Sequence, residues 1–159
     1  IRSRPGACMN IKGEYLLPAT PETIWRSLHD EALLRETVPG CQELSQTGPN
    51  AFAGSASVGI GPIKGLYRGT LEIVEETPFT SAKFRVRARS GHAEIQGEGE
   101  VELVAQDGAT LVRYQGDARI SGPLAAVGQR LLPSASKSLT ETFLKNVQEA
   151  LKARAAGGG

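Results

Sequence analysis

The sequence predicts a single α+β domain in which a curved antiparallel sheet wraps around one long C-terminal helix. From Cys41 to Ser121 apolar and polar residues alternate with a period of about two, and turn signals interrupt them, which indicates six consecutive strands. After Gly122-Pro123 the apolar residues recur every four positions, as on one face of a helix. A length of 159 residues suits one domain with one core.

Composition argues against several functional classes. Eighteen Lys and Arg against 17 Asp and Glu leave a formal charge of +1, which gives no basic field for a nucleic-acid backbone. No apolar run approaches the ~20 residues that cross a bilayer, and no segment resembles a signal peptide. We therefore expect a bacterial, cytoplasmic protein, at most in peripheral contact with the inner face of the membrane. A closed zinc site of about four N or S ligands would require both Cys and both His, and Cys8 lies in the opening stretch before Met9, so no metal is expected.

The two ends of the chain are predicted to lie outside the domain. Residues 1–8 have no periodicity and precede Met9, so we interpret them as a tag or upstream sequence. The single domain is expected to span residues 9–154. Residues 155–159 are Ala and Gly only and are expected to form a flexible tail.

The N-terminal part is predicted to form one strand followed by two short helices. Residues 10–17 alternate loosely between polar and apolar and stop at Pro18, as a strand would. Thr20 is a good N-cap, and Pro21 suits the first helical position because its missing N–H is not needed there. Asp30 is predicted to cap the second helix.

Charges follow the strand alternation in two consecutive predicted strands. The odd positions of residues 83–89 are Lys or Arg, and the even positions of residues 94–102 are Glu or Gln. A two-residue turn at Gly91-His92 places these two stripes opposite each other on the solvent face. This pairing explains the basic stripe better than an anion-binding or membrane-surface patch does. It sets Arg89 opposite Glu94, Arg85 opposite Glu98 and Lys83 opposite Glu100.

The same register leaves the middle of the inner face nearly bare. These small residues predict either a ligand cavity under the last helix or glycines that let the sheet bend around it, and the two explanations are compatible. Gly69 on the preceding strand extends the zone of small residues. The register sets Phe84 beside Gly99 and Gly116, and Val86 beside Gly97 and Ala118.

The last helix is predicted to run along this inner face from Val127 to Leu151, with a kink at Pro133, where proline removes one internal hydrogen bond. Helix and sheet together predict an apolar ligand cavity. Its lining is expected to comprise Trp25, Phe52, Tyr67, Gly69, Leu71, Phe84, Val86, Gly97, Gly99, Val101, Tyr114, Gly116, Ala118, Val127, Leu131 and Ala135. A glycine-rich loop is expected to form the cavity mouth through Gly59, Gly61, Pro62 and Gly65.

No set of side chains predicts an active site, which would need a nucleophile with a base, or a matched acid and base. His29, at the end of the first helix, is interpreted as a cation near the helix dipole, and His92 lies in a predicted turn. Tyr67 and Tyr114 are the best polar candidates, although a backbone carbonyl is the favoured partner for each phenol. For Glu14 an inward position is one alternative, although a lone carboxylate is more often a surface or capping group. We assign no catalytic residue.

Short glycine- and proline-containing segments follow one another along the whole chain. They are Pro18-Ala19-Thr20-Pro21 leading into Trp25, Val38-Pro39-Gly40-Cys41, Gly59-Ile60-Gly61-Pro62-Ile63-Lys64-Gly65 and Ile120-Ser121-Gly122-Pro123-Leu124. In their order and spacing the chain resembles the carbon monoxide dehydrogenase G-subunit (CoxG) family from Met9 to about Ala153. That family belongs to the START-like, or SRPBCC, helix-grip superfamily, so the resemblance implies a sheet curved about a C-terminal helix with a hydrophobic tunnel between them.

The resemblance also implies a function. Family members accompany molybdenum-dependent carbon monoxide dehydrogenases and related hydroxylases and are linked to their assembly or membrane recruitment. We therefore expect a non-enzymatic accessory protein that binds an apolar small molecule, a lipid or a quinone, and has no other cofactor. Its expected partner is such a hydroxylase or its assembly factors. Two other hypotheses are a protein-interaction module without a ligand and a small START-like cyclase or lyase that uses Tyr67 or Tyr114 as an acid.

Overall fold

Seven antiparallel strands form one sheet in the order β1-β7-β6-β5-β4-β3-β2, so β1 and β2 lie at its two edges. The computed structural model describes residues 7–59, 64–91, 93–123, 125 and 132–158. The α+β class, the meander from β2 to β7 and the curved sheet are as predicted. The strands are β1 Ala7–Leu17, β2 Cys41–Gly48, β3 Ala51–Val58, β4 Gly65–Thr77, β5 Ser81–Arg89, β6 Glu94–Gln106 and β7 Ala109–Ser121.

The two short helices begin where the sequence predicts. Helix α1 spans Pro21–Leu28, and the side chain of Thr20 accepts a hydrogen bond from the backbone N–H of Thr23 at 3.3 Å. Helix α2 spans Glu31–Thr37 and is capped by Asp30, whose Oδ1 accepts from the N–H groups of Ala32 and Leu33 at 2.9 and 3.3 Å. Both caps satisfy backbone donors that have no partner inside the helix.

The predicted register of β5, β6 and β7 is confirmed. Arg89 lies opposite Glu94, Arg85 opposite Glu98 and Lys83 opposite Glu100, and the inner-face rows of Phe84 with Gly99 and of Val86 with Gly97 form as expected. Ion pairs follow from it at 3.5 Å between Arg89 and Glu94 and at 3.7 Å between Arg85 and Glu98. The β6–β7 hairpin turns at Asp107-Gly108, with φ angles of 47° and 84° that suit a tight two-residue turn.

The partner of β1 could not be read from the local pattern. β1 pairs with β7 over its whole length, from Ala7 opposite Ile120 to Leu17 opposite Thr110. This pairing decides between the two alternatives for Glu14 in favour of the surface position. Glu14 lies opposite Arg113 on the outer face and accepts a bond from its Nε at 2.9 Å.

Helix α3, Leu132–Gly158, packs against the inner face of the sheet. Its predicted apolar stripe is confirmed for the residues that the structure describes, since Ala135, Val147 and Leu151 are buried. The N-terminal side of Pro133, on which the predicted kink depends, lies outside the described residues.

Buried apolar residues of the described part of the chain form two clusters. The first joins the β6 and β7 ends near Gly91 to the start of α3 and contains Ala93, Ile120, Ala125 and Ala135. The second lies under α1, α2 and the end of α3 and contains Leu17, Ile24, Leu33, Leu103, Val112, Val147, Ala150 and Leu151.

Candidate functional site

The candidate site is the stretch of inner sheet face between the two clusters. Its two central cross-strand rows belong to neither cluster, and their residues are half-buried. The row that contains Val86 continues across β4 to Leu71 and across β3 to Phe52. Phe52 is only 3 % exposed, so this end of the row is buried. The rows are Phe84, Gly99 and Gly116, and Val86, Gly97 and Ala118. We call this half-buried apolar stretch of the inner sheet face the inner channel, after the cavity that the sequence predicts.

The glycines of this face serve two different purposes. At Gly69 a Cβ atom would collide with the carbonyl oxygen of Arg87, and at Gly116 it would lie 2.9 Å from the carbonyl oxygen of Glu98. These two glycines are needed where strands approach each other closely, which supports the bending explanation. At Gly97 a Cβ would make only ordinary contacts, the nearest at 3.4 Å, so this position has space beside it. The bending explanation therefore applies at Gly69 and Gly116, while Gly97 leaves the kind of space that the cavity explanation requires.

Phe84 covers part of the bare zone. A Cβ atom at Gly99 would lie 2.9 Å from Cζ of Phe84, so the ring rests on the backbone of the neighbouring strand. Two further half-buried residues extend this row, Ile73 opposite Phe84 and Ile11 opposite Gly116. Sequence reasoning missed Ile11 because β1 had no assigned neighbour. Ile73 could have been found, because it continues the alternation of Gly69 and Leu71 on the same face of β4.

Tyr114 lies at the seam between β1 and α3. Its phenol packs over Gly13 on β1 and has no hydrogen bond with any residue in the described ranges. Burial raises the pKa of Tyr114 above its usual value, and the negative charge of Glu141 on α3 raises it further. The phenol therefore stays protonated at neutral pH and is available as a hydrogen-bond donor. Beside it, Tyr15 Oη donates to Oε1 of Gln148 at 2.7 Å and joins the edge strand to the helix.

Trp25 closes the opposite end of the inner face. It packs against the second cluster, and its ring centroid lies 5.0 Å from His29 and 6.2 Å from Phe79. His29 caps the C-terminus of α1, where Nδ1 is 2.8 Å from the carbonyl oxygen of Trp25 and Nε2 is 3.1 Å from Oε2 of Glu76. The imidazole is thus engaged on both nitrogens and ties α1 to the end of β4.

The remaining predicted lining residues are distributed around this channel. Tyr67 is buried, Val101 packs against the second cluster, and Ala135 belongs to the first cluster. Gly59 and Gly65 flank the predicted mouth loop, and Gly65 has a φ of 150°. The other predicted members, Val127, Leu131, Gly61, Pro62 and the turn residue His92, lie outside the described residues.

A sequence model of the carbon monoxide dehydrogenase G-subunit (CoxG) family matches residues 13–152. The chain belongs to this family. Comparison with curated protein sequences gives no match. The CoxG assignment agrees with the resemblance seen in the glycine- and proline-containing segments.

Solved structures give the same fold for this CoxG chain. A conserved protein from Geobacillus kaustophilus is 28% identical, with 92% of this chain and 97% of that chain covered and a TM-score of 0.87. The Zhui aromatase/cyclase from Streptomyces sp. R1128 is 12% identical, with 96% and 98% covered and a TM-score of 0.72. Norcoclaurine synthase from Thalictrum flavum is 11% identical, with 92% and 88% covered and a TM-score of 0.64. The last two likenesses establish the helix-grip fold alone.

Two kinds of feature are missing from the described residues of the CoxG chain. No group of three or more His, Cys, Asp or Glu side chains in them could hold a metal ion. None of the helices there combines the length and the apolar character needed to cross a bilayer.

Proposed function

We propose that this CoxG-family chain is a non-enzymatic accessory protein that binds an apolar, partly aromatic molecule in the inner channel. Its partner in this proposal is a molybdenum hydroxylase of the carbon monoxide dehydrogenase type, or the factors that assemble it. Family membership and the helix-grip fold support a ligand-binding accessory role in general.

The observation that carries the proposal is the gap between the two buried clusters. Well-packed interiors have few voids, and an apolar sheet face that a helix does not fully cover loses contacts and stays in water. The half-buried row of Val86, Gly97 and Ala118 is such a face. An apolar ligand beside Gly97 would restore those contacts.

The class of ligand follows from the lining. Phe84 offers aromatic surface, and Leu71, Val86 and Ala118 offer aliphatic surface, with Phe52 buried at the end of their row. Tyr114, between β1 and α3, adds one protonated phenol, which can donate a hydrogen bond to a carbonyl or hydroxyl oxygen. A quinone or a lipid combines an apolar body with such an oxygen, so the proposed task is to handle one of these beside the enzyme or to bring the enzyme to the membrane.

Extraction and mass spectrometry test this proposal directly. The mass of the intact protein from a bacterial host is measured by native mass spectrometry. The protein is then denatured, and the small molecule that it releases is identified. We expect a stoichiometric apolar ligand. An empty protein over several preparations would favour the alternative of an interaction module without a ligand.

A matched pair of variants locates the ligand. Gly97→Val adds an apolar side chain on the inner face, where the backbone leaves room, and should reduce ligand recovery and binding of the uncharged dye Nile red. Gln115→Val places the same apolar side chain on the exposed outer face of β7, where it removes a hydrogen bond to Glu100, and should leave both unchanged. Equal dye binding by the two variants would contradict a ligand in the inner channel.

A further inference from the structure

The outer face of the sheet, opposite the inner channel, carries one cross-strand row without any acidic residue. Register places Thr70 opposite Arg87, Arg87 opposite Gln96 and Gln96 opposite Arg119. We call these four residues the arginine row. The next row toward the centre of the sheet contains Glu72, Arg85, Glu98 and Asp117, so its charges are mixed.

The two guanidinium groups of the arginine row form no ion pair with the described residues. Within the part of the chain that the structure describes, neither Arg87 nor Arg119 forms an ion pair. The other basic residues of β5 and β7 do: Lys83 with Glu75 at 3.8 Å, Arg85 with Glu98 at 3.7 Å, Arg89 with Glu94 at 3.5 Å and Arg113 with Glu14 at 2.9 Å. Cross-strand pairing therefore explains the basic stripe of β5 except for Arg87, and it leaves Arg119 on β7 unexplained as well.

Arg87 and Arg119 face a common depression of about 850 Å³ on the outer surface. Arg85 and Gln96 also line it, and the side-chain-free backbone of Gly97 contributes to its floor. The two arginines lie two strands apart, so their backbones are separated by about 10 Å. Same-side residues of an extended chain are about 6.7 Å apart, a spacing that flexible arginine side chains can match.

We propose that the arginine row binds an acidic segment of a protein partner. Carboxylates of Asp or Glu side chains would be held by Arg87 and Arg119, each of which offers paired N–H donors, and by the amide of Gln96. This interaction surface goes beyond the proposed function, because it lies on the opposite face of the sheet and needs no ligand in the inner channel.

The surrounding charges favour a narrow acidic segment over an anionic membrane. Glu98 and Asp117 line the same depression, and Glu100 and Glu102 follow along β6. A flat anionic surface would approach these carboxylates together with the arginines and be repelled by them. A single extended segment lying along the row avoids them. A small free anion would contact only one or two exposed side chains of the row. An extended acidic segment would contact the arginine row at several points along its length.

The test compares two double variants that remove the same charge from the same strands and the same face. Arg87→Gln with Arg119→Gln removes the uncommitted pair, and Lys83→Gln with Arg113→Gln removes an ion-paired one. The probe is fluorescein-labelled hexaglutamate, and its binding to the full chain is measured by fluorescence anisotropy at low and at physiological ionic strength. We expect the first variant to weaken binding about tenfold and the second to change it little. Arg87→Lys with Arg119→Lys should fall between, because charge remains and the paired donors are lost.

Three results would overturn the proposal. Equal weakening in both double variants would mean that only net charge matters. Displacement of the probe by sub-millimolar inorganic phosphate would identify a site for small anions. Binding to phosphatidylglycerol vesicles that depends on Arg87 and Arg119, with unchanged peptide binding, would identify a membrane-facing surface. Nile red binding, measured in parallel, reports the inner channel separately, so a failure here is distinct from a failure of the proposed function. If the glutamine variant does not fold, the lysine variant answers the same question.

Discussion

The phenol ring of Tyr114 lies so close to Gly13 on the adjacent edge strand that a Cβ atom at position 13 would be 2.7 Å from Cζ of Tyr114. Gly13→Ala should therefore push the ring away and lower the free energy of unfolding by about 1 kcal/mol, as overpacking does. Urea denaturation measures this loss. Adding Tyr114→Phe removes the hydroxyl that the new methyl group meets first and should recover part of the stability.

Gly97→Ala is the matched control for this overpacking, since a Cβ at Gly97 would meet its nearest neighbour at 3.4 Å. Replacing a strand glycine without strain removes conformational entropy from the unfolded chain, so stability should stay equal or rise by about 0.5 kcal/mol. If Gly97→Ala destabilised the protein as much as Gly13→Ala, the space assigned to the inner channel beside Gly97 would be absent.

The hydrogen bond between Tyr15 and Gln148 ties edge strand β1 to helix α3 at 2.7 Å. Tyr15→Phe should lower the free energy of unfolding by about 1 kcal/mol and speed hydrogen exchange of the neighbouring amides in α3. In the Tyr15→Phe background, Gln148→Ala should lower the free energy of unfolding only by the packing contacts that Gln148 loses. Full additivity of the two changes would show that the hydrogen bond contributes nothing.

Acid should weaken the α2 cap. Burial opposes the charge of Asp30, but hydrogen bonds from Arg154, Leu33 and Ala32 outweigh it and hold the pKa below its usual 3.8. A depressed folded-state pKa contributes stability that is fully present above pH 3.8 and is lost as the pH falls through the folded value. Asp30→Asn keeps a capping oxygen without the charge, so its deficit relative to wild type should be present at pH 7 and shrink below about pH 4.

Asp107→Asn in the exposed β6–β7 turn provides the control for this pH series. Its carboxylate has no hydrogen bond or ion pair with other described residues, and Asn also tolerates a φ of 47°. The effect of this substitution on urea unfolding should be small at every pH. An Asp30→Asn deficit that stayed constant down to pH 3 would refute the role of the charge.

Tyr114→Phe separates ligand binding from catalysis. Because the hydroxyl of Tyr114 has no protein hydrogen bond among the described residues, its loss should change the free energy of unfolding by less than about 0.5 kcal/mol. We expect a ligand with the same mass from both proteins, bound less tightly by the variant. A ligand that accumulates as a different, unconverted compound in the variant would instead support the cyclase or lyase hypothesis.

Local signals predicted the parts of the fold that local physics determines. Thr20 and Asp30 cap helices because their side chains reach backbone donors three residues away or fewer, and Asp107-Gly108 turns the chain because both residues accept a positive φ. The two-residue turn expected at Gly91-His92 then predicted the β5–β6 register and the bare inner rows. These features need no knowledge of distant residues.

Long-range features were beyond such reasoning. Nothing near Glu14 or Ile11 indicates that β1 will lie beside β7, so the face of each was settled only by a pairing across about a hundred residues. Likewise, the sequence placed Arg87 in a stripe of paired charges, but whether an acid lies within reach depends on side-chain geometry. The lack of partners for Arg87 and Arg119 among the described residues therefore emerged only in three dimensions.

The pairing of β1 with β7 also sets an order of events during synthesis. With translation at about 5 to 20 residues per second, the first strand to leave the ribosome spends several seconds without its neighbour, because residue 17 must wait for residue 110. Strands β2 to β7 can meanwhile form hairpin by hairpin, so β7 is expected to be the last of them to join. The sheet can therefore be completed by β1 only after β7 has been synthesised. A nascent chain that stops before β7 leaves β1 without a strand to pair with.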